Sequence, residues 1–71
     1  MQYASEVVYR LYIENEQGTV VQTNLCESLA RAKAQANIHA NTILTWEEHG
    51  SSVPTWLSSH YGFYYVIEGD V

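Results

Sequence analysis

The chain has little of several things that would point to a reaction or a compartment. It holds one cysteine, Cys26, among 71 residues, so no disulfide can form within it. Only Arg10, Arg31 and Lys33 are basic, against eight acidic residues, for a net charge of -5. Neutralising phosphates takes several Lys or Arg, so the composition argues against nucleic acid as a direct partner. No apolar run approaches the roughly 20 residues that a membrane-spanning helix needs, which excludes a membrane role of that kind. Met1 is followed by polar and strand-forming residues, not by a basic segment and an apolar stretch, so no export signal is expected. Together with the lone cysteine, this predicts a cytoplasmic protein. The four glycines, Gly18, Gly50, Gly62 and Gly69, are isolated, which excludes a glycine-rich phosphate loop. Pro54 is the only proline.

What the chain does have is aromatic side chains: six tyrosines and two tryptophans. A single domain over residues 1–71 is all this length allows. A chain of this size buries only about 60% of the surface that its unfolded form exposes. Most of the aromatics must therefore build the core, and any left over are residue types that also build interfaces.

Residues 7–14 alternate cleanly. Val7, Tyr9, Leu11 and Ile13 point one way, and Val8, Arg10, Tyr12 and Glu14 the other, the period of a half-buried strand. Glu14-Asn15-Glu16-Gln17-Gly18 supplies a turn, and residues 19–23 return as a second strand. Residues 25–41 are predicted helical. Leu25, Leu29, Ala32, Ala36, Ala40 and Ile43 fall on one stripe. Asn24-x-x-Glu27 resembles a capping box and Ser28 is a rival cap, so two starts are open. Three further strands are predicted over 43–48, 53–59 and 63–68, separated by turns at His49-Gly50-Ser51-Ser52 and His60-Tyr61-Gly62. Pro54 places the fourth strand at an edge or at a strand start. Leu44, Trp46, Trp56, Phe63, Tyr65 and Ile67 would share the core face. The prediction is a two-layer α+β domain of order ββαβββ, with one helix packed on one face of an antiparallel sheet.

The segment from Ser28 to Ile67 carries Ser28-Leu29 ahead of an alanine-rich helix, then Leu44-x-Trp46, Trp56 and Tyr65-x-Ile67. It resembles a small domain encoded in many phages and prophages. Gly62 departs from that pattern, lying three residues before Tyr65 instead of two. The likeness covers a little over half the chain. It implies expression in the cytoplasm of a bacterial host and a role in phage–host interaction or prophage maintenance. It implies no reaction.

Residues that carry chemistry do not fall into a catalytic or metal-binding pattern. His39, His49 and His60 are ten and eleven residues apart, without the close spacing of a zinc site. They read as two turn residues and one helix-flank residue, and no metal or cofactor is expected. Glu47-Glu48 are neighbours on a strand and point to opposite faces, which suits acid–base work poorly. Cys26 reads as a small apolar residue near the helix start, although a helix dipole can lower a thiol pKa. Ser51-Ser52 and Ser58-Ser59 lack a nucleophile elbow. An enzyme is not expected.

One helix cannot cover both faces of a sheet. Val8, Arg10, Tyr12, Thr45, Leu57, Tyr64 and Val66 are predicted to face away from it, and uncovered apolar surface of this kind marks interaction sites. Scattered apolar residues on such a face are also normal. Ala30, Ala34 and Ile38 form a smaller row on the back of the helix. The candidate protein-binding residues are Tyr12, Leu57 and Tyr64, with Arg10 orienting the contact. The expected function is a non-enzymatic phage or prophage accessory protein that binds another protein or itself, with a homodimer through this face. The alternative is an acidic anti-defence inhibitor, with Glu14, Glu16, Glu47, Glu48, Glu68 and Asp70 occupying a basic nucleic-acid-binding surface of a host protein. Stacking of single-stranded nucleic acid on the sheet aromatics is a third reading, and the charge argues against it.

Overall fold

The computed structural model describes residues 8–50 and 52–69. Five strands and one helix follow in the order β1 (Tyr9–Glu14), β2 (Val20–Cys26), α1 (Leu29–Ala40), β3 (Glu47–Gly50), β4 (Pro54–His60) and β5 (Phe63–Glu68). All strand pairs are antiparallel, and the sheet order is β2-β1-β5-β4-β3. The first and last strands are thus neighbours at the centre, and β2 and β3 are the two edges. The helix packs against β1, β2 and β5 on one face. This is the α+β, two-layer ββαβββ architecture that the alternation and the alanine stripe predict.

Alternate burial along the central strands sets the layers. Leu11 and Ile13 of β1 and Tyr65 and Ile67 of β5 are fully buried, and their cross-strand pairs Leu11–Ile67 and Ile13–Tyr65 stack beneath the helix. Ala32 and Ala36 bring the helix down onto them with no exposure. Alanine permits that close approach, and the larger sheet side chains fill the space between layers. Cys26 and Leu44 complete the buried cluster, with Tyr9, Leu29, Ala40, Trp46, Trp56 and Phe63 packed partly buried around it.

The first hairpin turns on Asn15. Its side-chain oxygen accepts from the backbone N–H groups of Gln17 and Thr19, each at 3.0 Å. Gly18 takes the positive φ of 81° that closes the turn. The hairpin between β4 and β5 turns on Tyr61 and Gly62, both with positive φ.

Element boundaries differ from the sequence reading in instructive ways. The helix starts at Leu29, with Ser28 as its cap: the Ser28 hydroxyl accepts from the Arg31 N–H at 3.1 Å. Leu25 and Cys26 instead extend β2, pairing with Arg10 and Tyr9, because ladder pairing and burial of Cys26 outweigh the helical stripe. The helix ends where Asn41 turns left-handed at φ 59°, its N–H capping the carbonyls of Asn37 and Ile38. Ile43 therefore leaves the stripe and is 85% exposed. Leu44 enters the core instead, held by its N–H donating to Asn37 Oδ1 at 2.9 Å.

The third strand begins at Glu47 and not at Ile43. Pairing with β4 starts at Glu47–Leu57. Before it, the Thr45 carbonyl is taken by the Ser58 hydroxyl at 2.7 Å. His49 and Gly50, predicted as turn, are the end of this strand. Pro54 opens β4 as its missing N–H requires, and its carbonyl accepts from Gly69 N–H at 2.9 Å. Val7, Ser51 and Asp70 lie outside the described residues.

Candidate functional site

The face of the sheet away from the helix is built by register. Directly opposite residues in a sheet share a face. One row runs across all five strands as Thr23, Tyr12, Val66, Leu57 and Glu47. A second row runs Leu25, Arg10, Glu68, Thr55 and His49. A third sets Val20 against Glu14, Tyr64 and Ser59. Arg10, Tyr12, Leu57 and Tyr64 therefore stand on one face, on three adjacent strands. Among the described residues no helix packs on this face.

The four residues form two pairs. Arg10 Nη1 donates to the Tyr12 hydroxyl at 2.9 Å, and its guanidinium carbon lies 5.8 Å from the Tyr12 ring centre. That hydrogen bond, with the Glu68 carboxylate as a smaller contribution, holds the Arg10 guanidinium above its ordinary pKa. The pair thus presents a fixed cation and a flat ring side by side. Leu57 and Tyr64, on β4 and β5, line a shallow groove of about 420 Å³ together with Thr45, Glu47, Ser58 and Ser59. Tyr64 is 50% exposed. Val66 bridges the two pairs, being the cross-strand partner of both Tyr12 and Leu57. The apolar part of the face is thus continuous from Tyr12 to Leu57, with a charged or polar rim at Glu14, Glu68, Glu47 and His49.

The remaining chemical groups are dispersed. Among the described residues no three His, Cys, Asp or Glu side chains lie close enough together to hold a metal ion. His49 Nε2 lies 3.5 Å from Glu47 Oε1, both well exposed. Glu47 and Glu48 pair with Leu57 and Trp56 and so stand on opposite faces. The Ser58 hydroxyl is committed to the Thr45 carbonyl. Burial pushes the Cys26 thiol up, with the Arg31 cation pulling the other way, which leaves it a poor nucleophile near neutral pH.

His39 has a role that its sequence position hid. It packs between layers, its ring edge-on to Phe63 and Tyr65 at 4.9 and 5.6 Å, with Nδ1 2.9 Å from the Tyr65 hydroxyl. A signal was present: His39 follows Leu29, Ala32 and Ala36 at helical spacing and so continues the core stripe. Trp46 and Trp56 are half-buried and pack against the core from its margin. Ala30, Ala34 and Ile38 are exposed on the helix, with Ala34 on the flank beside β2.

No family model, curated protein or solved structure matches the chain. The fold and its face define a small two-layer α+β domain with one sheet face left open by the described residues. No helix among the described residues is long and apolar enough to cross a membrane.

Proposed function

We propose that this chain is a non-enzymatic phage or prophage accessory protein that works by binding a protein through the open face of its sheet. The supporting observation is the continuous row from Tyr12 through Val66 to Leu57, flanked by Arg10 and Tyr64. It sets tyrosine and arginine, types enriched among the residues that carry most binding energy at interfaces, around an aliphatic strip of Val66 and Leu57. The partner is a host or phage protein, or a second copy of the chain. The phage or prophage setting, and with it a bacterial cytoplasm, rests on the Ser28–Ile67 sequence likeness.

A second reading draws on the carboxylates of the same face. Glu14, Glu47 and Glu68 stand there with Arg10, an arrangement that suits an anti-defence inhibitor occupying a basic nucleic-acid-binding surface. Salt separates the two. Affinity that rests on long-range attraction falls steeply as ionic strength rises, whereas an apolar contact holds. The experiment is capture of the partner from bacterial lysate with wild type, Leu57→Glu and Tyr64→Ala, followed by titration of the captured protein across a salt series. Loss of binding in both variants with weak salt dependence is the expected result. Steep salt dependence moves the inhibitor reading to first place, and unchanged binding in both variants removes the open face from the function.

A further inference from the structure

The two edges of the sheet are built differently. Edge strands carry a row of unpaired backbone N–H and C=O groups, and proteins guard them by shortness, charge or proline. The β3 edge is guarded: it has four residues, Glu47–Gly50, all exposed, two of them carboxylates. The β2 edge is not. Val20–Cys26 runs seven residues as VVQTNLC, with no charge and no proline. A single bulge, where Val20 and Val21 together oppose Glu14, is its only irregularity. Among the described residues, and in a chain of net charge -5, β2 is the edge with no carboxylate within the strand; Glu27 follows at its end.

The sequence of β2 is also complementary to itself. Reversed about its midpoint Thr23, the strand sets Val21 against Leu25, Gln22 against Asn24 and Thr23 against Thr23. Val21 and Leu25 are exposed, at 48% and 65%, and alternate with Gln22 and Asn24 so as to lie on the open face. Gln22 and Asn24, on the helix face, already share a hydrogen bond, Gln22 Nε2 donating to Asn24 Oδ1 at 2.8 Å. A shallow groove of about 350 Å³ separates Leu25 and Cys26 from Ala34 and Gln35 of the helix, so the edge is open on the helix side as well.

We propose that β2 pairs antiparallel with β2 of a second copy, about a two-fold axis at Thr23 that runs perpendicular to the sheet. The pairing joins two five-stranded sheets into one of ten strands. Antiparallel edge pairing satisfies the free backbone groups of both strands, and each Val21 covers the second copy's Leu25. The axis keeps both helices on one side. Both open faces then lie on the other, and the row Leu57, Val66, Tyr12 and Thr23 continues into the same row of the second copy. The edge is thus the site for the second copy, and the open face is left for a different protein.

Charge variants at the paired positions test the register. Val21→Glu with Leu25→Glu places like charges opposite each other twice. Val21→Lys with Leu25→Glu removes the same apolar contact but sets each Lys against the second copy's Glu. Light scattering and sedimentation are expected to give twice the monomer mass for wild type and for the Lys/Glu variant, and the monomer mass for the Glu/Glu variant. Circular dichroism is expected to show all three folded. Wild type at monomer mass in concentrated solution overturns the proposal, as does a dimeric Glu/Glu variant or a monomeric Lys/Glu variant. Leu57→Glu, three strands away from β2 across the open face, is expected to remain a dimer. A folded, monomeric Leu57→Glu places the second copy on the open face and overturns edge pairing.

Discussion

His39 Nδ1 and the Tyr65 hydroxyl lie 2.9 Å apart, tying the last turn of the helix to the central strand β5 across 26 residues of chain. Tyr65 is the largest fully buried side chain, and its hydroxyl would be costly to bury without a partner. The bond fixes where the helix lies along the sheet, which packing of two alanines alone specifies weakly. Tyr65→Phe is expected to lower stability by about 0.5–1.5 kcal/mol in urea unfolding. In a cycle with His39→Ala and the double variant, the two losses are expected to be less than additive. Full additivity would mean that the contact contributes nothing of its own.

The same hydroxyl makes the fold sensitive to alkali. Burial pushes Tyr65 above its ordinary pKa, so the folded chain keeps a proton that the unfolded chain releases. Stability is then complete below about pH 10 and falls as the pH rises from there toward the folded-state value. Cys26, also pushed up by burial, adds a decline of the same sign that starts near pH 8.5. Urea midpoints measured between about pH 7 and pH 11 are expected to fall in wild type. The fall is expected to be shallower in Tyr65→Phe above about pH 10 and in Cys26→Ala above about pH 8.5. Identical slopes in all three would show that the decline comes from other groups.

The helix start offers a direct comparison of two caps. Ser28→Ala removes the hydroxyl that accepts from Arg31 N–H and is expected to cost about 0.5–2 kcal/mol. Asn24 lies inside β2, where its side chain accepts from Gln22 and not from a helix N–H. Asn24→Ala is expected to cost less than Ser28→Ala. Thermal melts of the two variants check the order, and a larger loss for Asn24→Ala would mean that the β2 amide pair matters more than the cap.

That pair of candidate caps shows how far the sequence could be read. Strict alternation over Tyr9–Glu14 and Phe63–Glu68 was decisive, because each strand buries one face and a slip by one residue would bury Arg10 or Glu68. The same alternation places Arg10, Tyr12 and Tyr64 on the open face. Leu25 and Cys26 were ambiguous: they fit the helical stripe and also fit a strand, and only pairing with Arg10 and Tyr9 decides. Ile43 and Thr45 look like strand by β-branching, but strand order depends on contacts between distant segments. For the same reason nothing local announced that β2 and β3 are the edges, or that Val20–Cys26 is left open.

Trp46 and Trp56, core residues by their strand pattern, are half-buried, and that changes what their loss should do. Leu11, Ile13 and Ile67 are fully enclosed, so Ile67→Ala is expected to cost about 2–5 kcal/mol. A domain of this size has only about 0.05–0.15 kcal/mol per residue in hand, so that variant should be largely unfolded on mild warming. Trp56 packs against Tyr9 with ring centres 6.0 Å apart but keeps part of its surface in water. Trp56→Ala is expected to fold, with a lowered melting temperature and a smaller loss than Ile67→Ala. The reverse order in urea melts would mean that Trp56 anchors the β4 side of the sheet more firmly than its exposure indicates.

The hairpin between β4 and β5 carries a residue that its backbone does not favour. Tyr61 has φ 47° and Gly62 has φ 82°, the pair of positive angles of a type I′ turn. Glycine adopts this freely, but a left-handed tyrosine costs roughly 1–2 kcal/mol. Tyr61 is 91% exposed, and its ring lies beside that of His60, centres 4.3 Å apart, so little packing offsets the strain. Asparagine is the favoured residue ahead of glycine in this turn. Tyr61→Asn is therefore expected to raise the melting temperature by several degrees, since about 1 kcal/mol shifts a domain of this length by about 4–8 °C. Gly62→Ala is expected to lower it. Its Cβ would sit 2.8 Å from Glu16 Oε2; that mobile carboxylate can swing away, but the positive φ stays. A drop in melting temperature for Tyr61→Asn would show that the His60–Tyr61 stack holds the turn more strongly than the backbone resists it.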